Sequence, residues 1–232
     1  MNVDEARKAK GKGMVAAAEG EAARVGRDLL NAGGNAIDAA VGVGFALAVT
    51  YPAAGNLGGG GFLVASVGSE HSQRTSLALD FRERAPFAAT ETMYSDADDR
   101  GQKEASLTGH LAAGVPGSVD GLLQALQAWG SLPREQVIAP AIRLARDGFV
   151  MTDRTHRMLN STKTRERMQL YRASSELFYP EGSAFPAGTI FRQPELANTL
   201  ELIAKKGRAG FYEGEVADHR LTGMHPGGGI IR

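Results

Sequence analysis

The sequence predicts a mixed α/β (α+β) fold, rich in helices and with few strands. Three observations carry that expectation. Apolar residues recur at helical spacing in several capped segments, most clearly Gln193 to Lys206, where Leu196, Leu200, Ile203 and Ala204 share a face. Alternation with a period of two is confined to Leu77-Ala78-Leu79-Asp80-Phe81-Arg82, which marks a strand. Glycine, at 30 of 232 residues, clusters where turns are expected. The length suits one large domain or two small ones.

Taken in order, residues 1–12 are polar and expected to be a disordered tail, with residues 13–232 forming the folded part. Gly13 to Ala18 is short and apolar, compatible with a strand. From Gly20 to Ala32, Ala22, Val25, Leu29 and Leu30 form an apolar stripe, and Gly33-Gly34 stops the helix. Asn35 caps the next helix, Ala36 to Thr50, with Asp38 near its positive end. That helix is apolar on almost every side and belongs in the interior; it is too short to span a bilayer.

Tyr51-Pro52 leads into Gly55-Asn56-Leu57-Gly58-Gly59-Gly60-Gly61, a hinge whose missing Cβ atoms allow positive φ or close approach. Phe62 to Val67 reads as a buried strand. Its hairpin partner starts at Leu77 and runs to about Arg84, because Pro86 disfavours continuation. Alternation places Arg82 on the face opposite Leu77, Leu79 and Phe81. A polar stretch to Gly109 follows, then the turn Gly114-Val115-Pro116-Gly117 and a helix capped by Ser118 and closed by Gly130. Further helices are expected over Ser131 to Gly148, Thr152 to about Met168, Gln193 to Lys206 and Glu215 to Leu221. Residues 171–192 read as a connection, Phe211-Tyr212 as a turn anchor, and Ile230-Ile231 as the start of a strand.

Several kinds of chemistry are disfavoured. Lys plus Arg equals Asp plus Glu at 26 each, which argues against nucleic acid or an anionic membrane as partner. There is no cysteine, so thiol catalysis and zinc-thiolate sites are absent. His71, His110, His156, His219 and His225 show no paired spacing, and no metal or cofactor is expected. The glycine run precedes a strand, the wrong order for a phosphate loop. Residues 1–13 have no apolar core and do not read as a secretory signal.

Asn31-Ala32-Gly33-Gly34-Asn35-Ala36-Ile37-Asp38-Ala39-Ala40, Gly55 to Phe62, Asp80-Phe81-Arg82-Glu83-Arg84-Ala85-Pro86, Val115-Pro116-Gly117, Leu144 to Phe149 and Gly210 to Gly214 resemble, in that order, the gamma-glutamyltranspeptidase (glutathione hydrolase) family. The resemblance implies an N-terminal-nucleophile hydrolase fold, a four-layer αββα sandwich, of which this chain would be the helix-rich front of the large subunit. It implies a precursor that cuts itself, freeing a threonine whose own amine serves as base. That threonine would attack gamma-glutamyl amides such as glutathione and pass the acyl group to water, an amino acid or a peptide.

The Thr-Thr-His block of such a cleavage site is not in this sequence, and Thr155-His156 lies among arginines. No catalytic residue is therefore carried over, and the chain by itself is expected to be inactive. The implied partners are a small-molecule gamma-glutamyl substrate, the rest of the large subunit and the small subunit. Bacterial relatives imply a periplasmic or secreted location. One site residue is carried over: Arg82 matches the arginine that grips the α-carboxylate of the gamma-glutamyl group, with Glu83 steadying it and Arg84 as the competing assignment. A non-catalytic partner chain of a split enzyme, or a related glutaryl or cephalosporin acylase, is the alternative.

Overall fold

The computed structural model describes residues 13–68, 74–95 and 104–232. The expected tail at 1–12 lies outside them. Helix α1 (Gly20–Asn31) leads through a two-glycine turn into α2 (Ala36–Thr50). Gly33 takes φ 93°, its N–H donates to Leu30 O, and that of Gly34 donates to Leu29 O, closing the helix by the left-handed route open to glycine. At the start of α2, Asn35 Oδ1 accepts from the N–H groups of Ile37 and Asp38, and Asp38 Oδ2 accepts from Asn35 N–H at 2.7 Å. This reciprocal cap is why the helix begins where it does.

Three helices surround α2: α1, α3 (Ser118–Trp129) and α4 (Arg134–Arg146). Val41, Phe45 and Ala46 on α2 are fully buried, with Val119, Val137 and Ile138 facing them across the same core. The helix is interior because it has no polar face to offer to water. Gly42 lets Leu29 of α1 lie against the α2 backbone, where a Cβ would overlap the leucine.

Beside this bundle, β1 (Phe62–Val67) pairs antiparallel with β2 (Thr75–Asp80), Phe62 opposite Asp80 and Val67 opposite Thr75. A second two-stranded sheet joins β3 (Phe149–Val150) to β4 (Ile190–Phe191). Between β3 and β4 come α5 (Asp153–Leu159), α6 (Thr162–Gln169) and α7 (Arg172–Phe178). The chain continues through α8 (Pro194–Lys206), α9 (Ala209–Tyr212) and α10 (Gly214–Met224). Among the described residues, the β-structure beyond these two sheets is one isolated antiparallel bridge between Arg84 and Val115.

Several expectations are corrected. Residues 13–18 form no strand; the segment lies across α1, with Val15 packed against Gly26. Strand β1 is covered on one side only, since Phe62 is 66% exposed and Val64 81%. Strand β2 stops at Asp80, whose carboxylate accepts the Arg82 N–H at 3.0 Å and turns that group out of the ladder. The expected helix over 152–168 is two helices, because Thr152 and Ser161 each cap a separate start. The 171–192 connection holds α7 and β4, and buries Phe178 and Phe191 stacked at 5.4 Å. Gly117, not Ser118, occupies the cap position of α3. Ile230-Ile231 belongs to no strand.

Candidate functional site

Arg82 lies just beyond β2, where the chain exchanges one neighbour for another. Phe81 still pairs with Gly61, its N–H donating to the Gly61 carbonyl at 3.0 Å. Three residues later Arg84 pairs instead with Val115, through N–H to O contacts of 3.2 and 2.8 Å. The Gly59 carbonyl accepts from the N–H groups of Gly117 and Ser118 at 2.8 and 2.9 Å, binding the hinge to the start of α3. Behind this junction the Tyr212 hydroxyl donates to Pro116 O at 2.8 Å and accepts from Asp120 N–H at 3.3 Å. Burial pushes the Tyr212 hydroxyl above its usual pKa, so it keeps the proton that it donates.

The backbone of Arg82 is thus enclosed, while its side chain is 66% exposed. The guanidinium is near two groups. Glu83 Oε2 is 3.9 Å from Nε, and the Phe62 ring centroid is 5.9 Å from Cζ. A long, exposed ion pair of this kind contributes little and leaves the cation available. The same side chain borders a groove of about 410 Å³ shared with Glu83, Arg84, Met93, Tyr94 and Leu111. The Tyr94 hydroxyl donates to Leu111 O at 3.0 Å and joins the two sides of that groove. A planar guanidinium there presents parallel N–H donors to a carboxylate, which fixes orientation as well as charge.

Among the hinge glycines, Gly60 works by closeness rather than by unusual torsion. None of Gly58 to Gly61 has positive φ. A Cβ on Gly60 would come within 2.7 Å of Arg82 Cα, so nothing larger fits beneath the arginine. Thr155 is buried in the first turn of α5, its N–H donating to Thr152 Oγ1 at 3.1 Å, and does not reach this groove. The described histidines do not converge either: His110 is edge-on to Tyr171, while His156 contacts Phe185 O and Asn160. Sequence reasoning missed Phe62, Tyr94 and Tyr212 as neighbours or supports of the site. The signal that could have found the junction is the Val115-Pro116-Gly117 turn, where proline fixes φ and glycine leaves room for a close backbone approach.

The same blocks account for the comparisons with known proteins. A family model described as gamma-glutamyltranspeptidase matches residues 22–232. The "Glutathione hydrolase proenzyme" of Pseudomonas sp. (strain A14) is 50% identical over 220 residues, 94% of this chain and 37% of the relative. The crystal structure of Helicobacter pylori gamma-glutamyltranspeptidase superposes with a TM-score of 0.90 at 41% identity, covering 97% of this chain and 63% of that one. A cephalosporin acylase from Bacillus halodurans gives a TM-score of 0.74 at 29% identity, over 90% of this chain and 39% of its own. The chain therefore spans a little over a third of the length of the curated relative. With the match running through the helical core, the hinge and the arginine junction alike, the chain belongs to the gamma-glutamyltranspeptidase family and has the helix-rich part of its N-terminal-nucleophile hydrolase fold.

Proposed function

We propose that this chain supplies the carboxylate clamp of a gamma-glutamyltransferase/glutathione hydrolase, with Arg82 as the clamp. The observation that carries the reading is an exposed guanidinium flanked by backbone hydrogen bonds at Phe81 and Arg84, bordering a groove and, among the described residues, paired only with Glu83 at 3.9 Å. The α-carboxylate of a gamma-glutamyl donor such as glutathione accepts from the Arg82 fork. The distal amide is then held in register with a nucleophile on polypeptide outside this chain. Arg84 borders the same groove, and its paired backbone supports a lesser, steering role.

The remainder of the large subunit and the small subunit are the proposed partners. Their docking area includes the outer face of β1, where Phe62 and Val64 stand uncovered. A glutaryl acylase reading has weaker support, 29% identity against 50%. Glutaryl donors keep the carboxylate that Arg82 would bind and lack only the amine.

The test is titration of the ¹⁵N-labelled chain with gamma-glutamyl-p-nitroanilide, followed by NMR. The expected result is a probe-induced shift of the Glu83 and Val115 amide signals that Arg82→Ala abolishes and Arg84→Ala only weakens, with no release of nitroaniline. Turnover by the pure chain, lost in Arg82→Ala, would show that the bond-breaking residues are in this chain and overturn the proposal. A full response to glutaryl-p-nitroanilide with none to the gamma-glutamyl compound would select the acylase reading.

A further inference from the structure

Two glycine-bearing segments more than fifty residues apart in sequence close on the same three residues. From below, a Cβ on Gly60 would lie 2.6 Å from Phe81 O, 2.6 Å from Glu83 N and 2.7 Å from Arg82 Cα. From the other side, a Cβ on Gly114 would lie 2.9 Å from Glu83 Cβ and 3.3 Å from Arg84 O. One on Gly117 would overlap the Phe81 carbonyl and stand 3.0 Å from Arg82 O. These distances are to backbone or Cβ atoms, which cannot swing aside as the end of a long side chain can. The neighbouring hinge glycines differ. A Cβ on Gly58 would meet nothing within 4 Å, and one on Gly59 would meet only the Asn56 side chain. One on Gly61 would meet the Phe81 ring at 3.0 Å, so within Gly58 to Gly61 only Gly60 presses on backbone atoms.

We propose that Gly60, Gly114 and Gly117 are positioning residues that form a backbone sleeve around Phe81-Arg82-Glu83 and fix the origin of the Arg82 side chain. The inference rests on the carboxylate-clamp reading of Arg82 and extends it. A clamp of one flexible side chain loses rotamer freedom when it binds, and a fixed Cα limits that loss to the side chain itself. It also sets where the bound carboxylate lies, and errors of about 1 Å in such placement cost up to about a hundred-fold in rate. The backbone hydrogen bonds at Phe81 and Arg84 hold the sleeve along the chain, and the glycines hold it across the chain.

The test uses the full 232-residue chain, ¹⁵N-labelled, as wild type, Gly60→Ala, Gly114→Ala and Gly58→Ala. Backbone amide signals of residues 81–84 and the Arg82 Nε signal report position. Titration with gamma-glutamyl-p-nitroanilide reports affinity, and thermal melting reports the fold. Gly60→Ala carries the larger overlap. Gly114→Ala is the milder variant, expected to melt close to wild type. The expected result is displaced signals at 81–84 in both, about ten-fold weaker probe binding, and Gly58→Ala matching wild type in all three readouts. Signals at 81–84 that stay in place in a folded Gly114→Ala or Gly60→Ala would overturn the sleeve, whatever the probe does. Displaced signals together with no probe binding by wild type would overturn the clamp reading and support the sleeve.

Discussion

Two charged residues show how differently a fold can use a charge. Asp38 is fully buried, yet every direction around its carboxylate is filled by a donor: Asn35 N–H, Ser131 N–H, Ser131 Oγ–H at 2.6 Å and Leu132 N–H at 3.0 Å. Burial alone would raise its pKa, but the hydrogen bonds from Ser131, Leu132 and Asn35 outweigh it and hold the group below the usual carboxylate value. A depressed folded-state pKa contributes stability above the unfolded value of about 4, lost as pH falls through the folded value. Denaturant titrations at pH 7 and in the acid range below about pH 4 should therefore show an acid loss that Asp38→Asn reduces. Asp38→Asn should also cost about 2–3 kcal/mol at neutral pH, since several buried donors lose a charged acceptor. Arg82, by contrast, is exposed, and Arg82→Ala should change stability by less than about 0.5 kcal/mol while removing probe binding.

At the scale of elements, α2 sits at the centre of the helical core and α10 holds a cation at an energetic cost. Phe45 on α2 is fully buried, so Phe45→Ala should lower unfolding free energy by about 3–5 kcal/mol, measurable by urea denaturation. On α10, Arg220 lies over the Phe211 ring at 4.2 Å, and its Nε and Nη1 are buried with no acceptor among the described residues. Burial pushes its pKa down, the mark of a cation held where charge is unwelcome. The ring contact offsets only part of the lost hydration. Arg220→Met keeps the packed stem and removes the orphaned donors, so it should raise stability by about 1–2 kcal/mol. An unchanged or lower melting temperature would mean that the stacked guanidinium is worth more than its lost hydration.

Across the whole molecule, the helical side is closed and the strand side is open. The cluster from Ala22 to Phe211 joins nearly every helix, and Gln193 ties the end of α2 to the start of α8 by donating to Val49 O at 2.9 Å. On the other side, Phe62 and Val64 stand out from β1. Under the proposed partnership with the rest of the protein, Val64→Lys should leave the melting temperature of this chain within about 1 °C. It should also prevent co-purification with the C-terminal remainder of the Pseudomonas relative. Retained co-purification would place the docking area elsewhere.

What could be read from residue order alone was whatever is local: the helical stripes, the Asn35 cap, the Gly33 stop, and an arginine followed by Glu83 and set off by Pro86. Each depends on residues within about two turns of one another. Asp38 was legible as a cap, but not as the group that also anchors Ser131 and Leu132 some ninety residues on. Likewise the hinge was legible as permissive backbone, while its actual use, Gly60 pressed against Arg82 and Gly59 bound to Gly117, depends on segments that meet only after folding. Strand ends followed the same rule: β2 stopped where Asp80 captured an N–H, and residues 13–18 found no ladder to join. Periodicity and caps are properties of one segment, so sequence determines them. Partner, exposure and close approach are properties of pairs of segments, and only the tertiary structure decides which pairs exist.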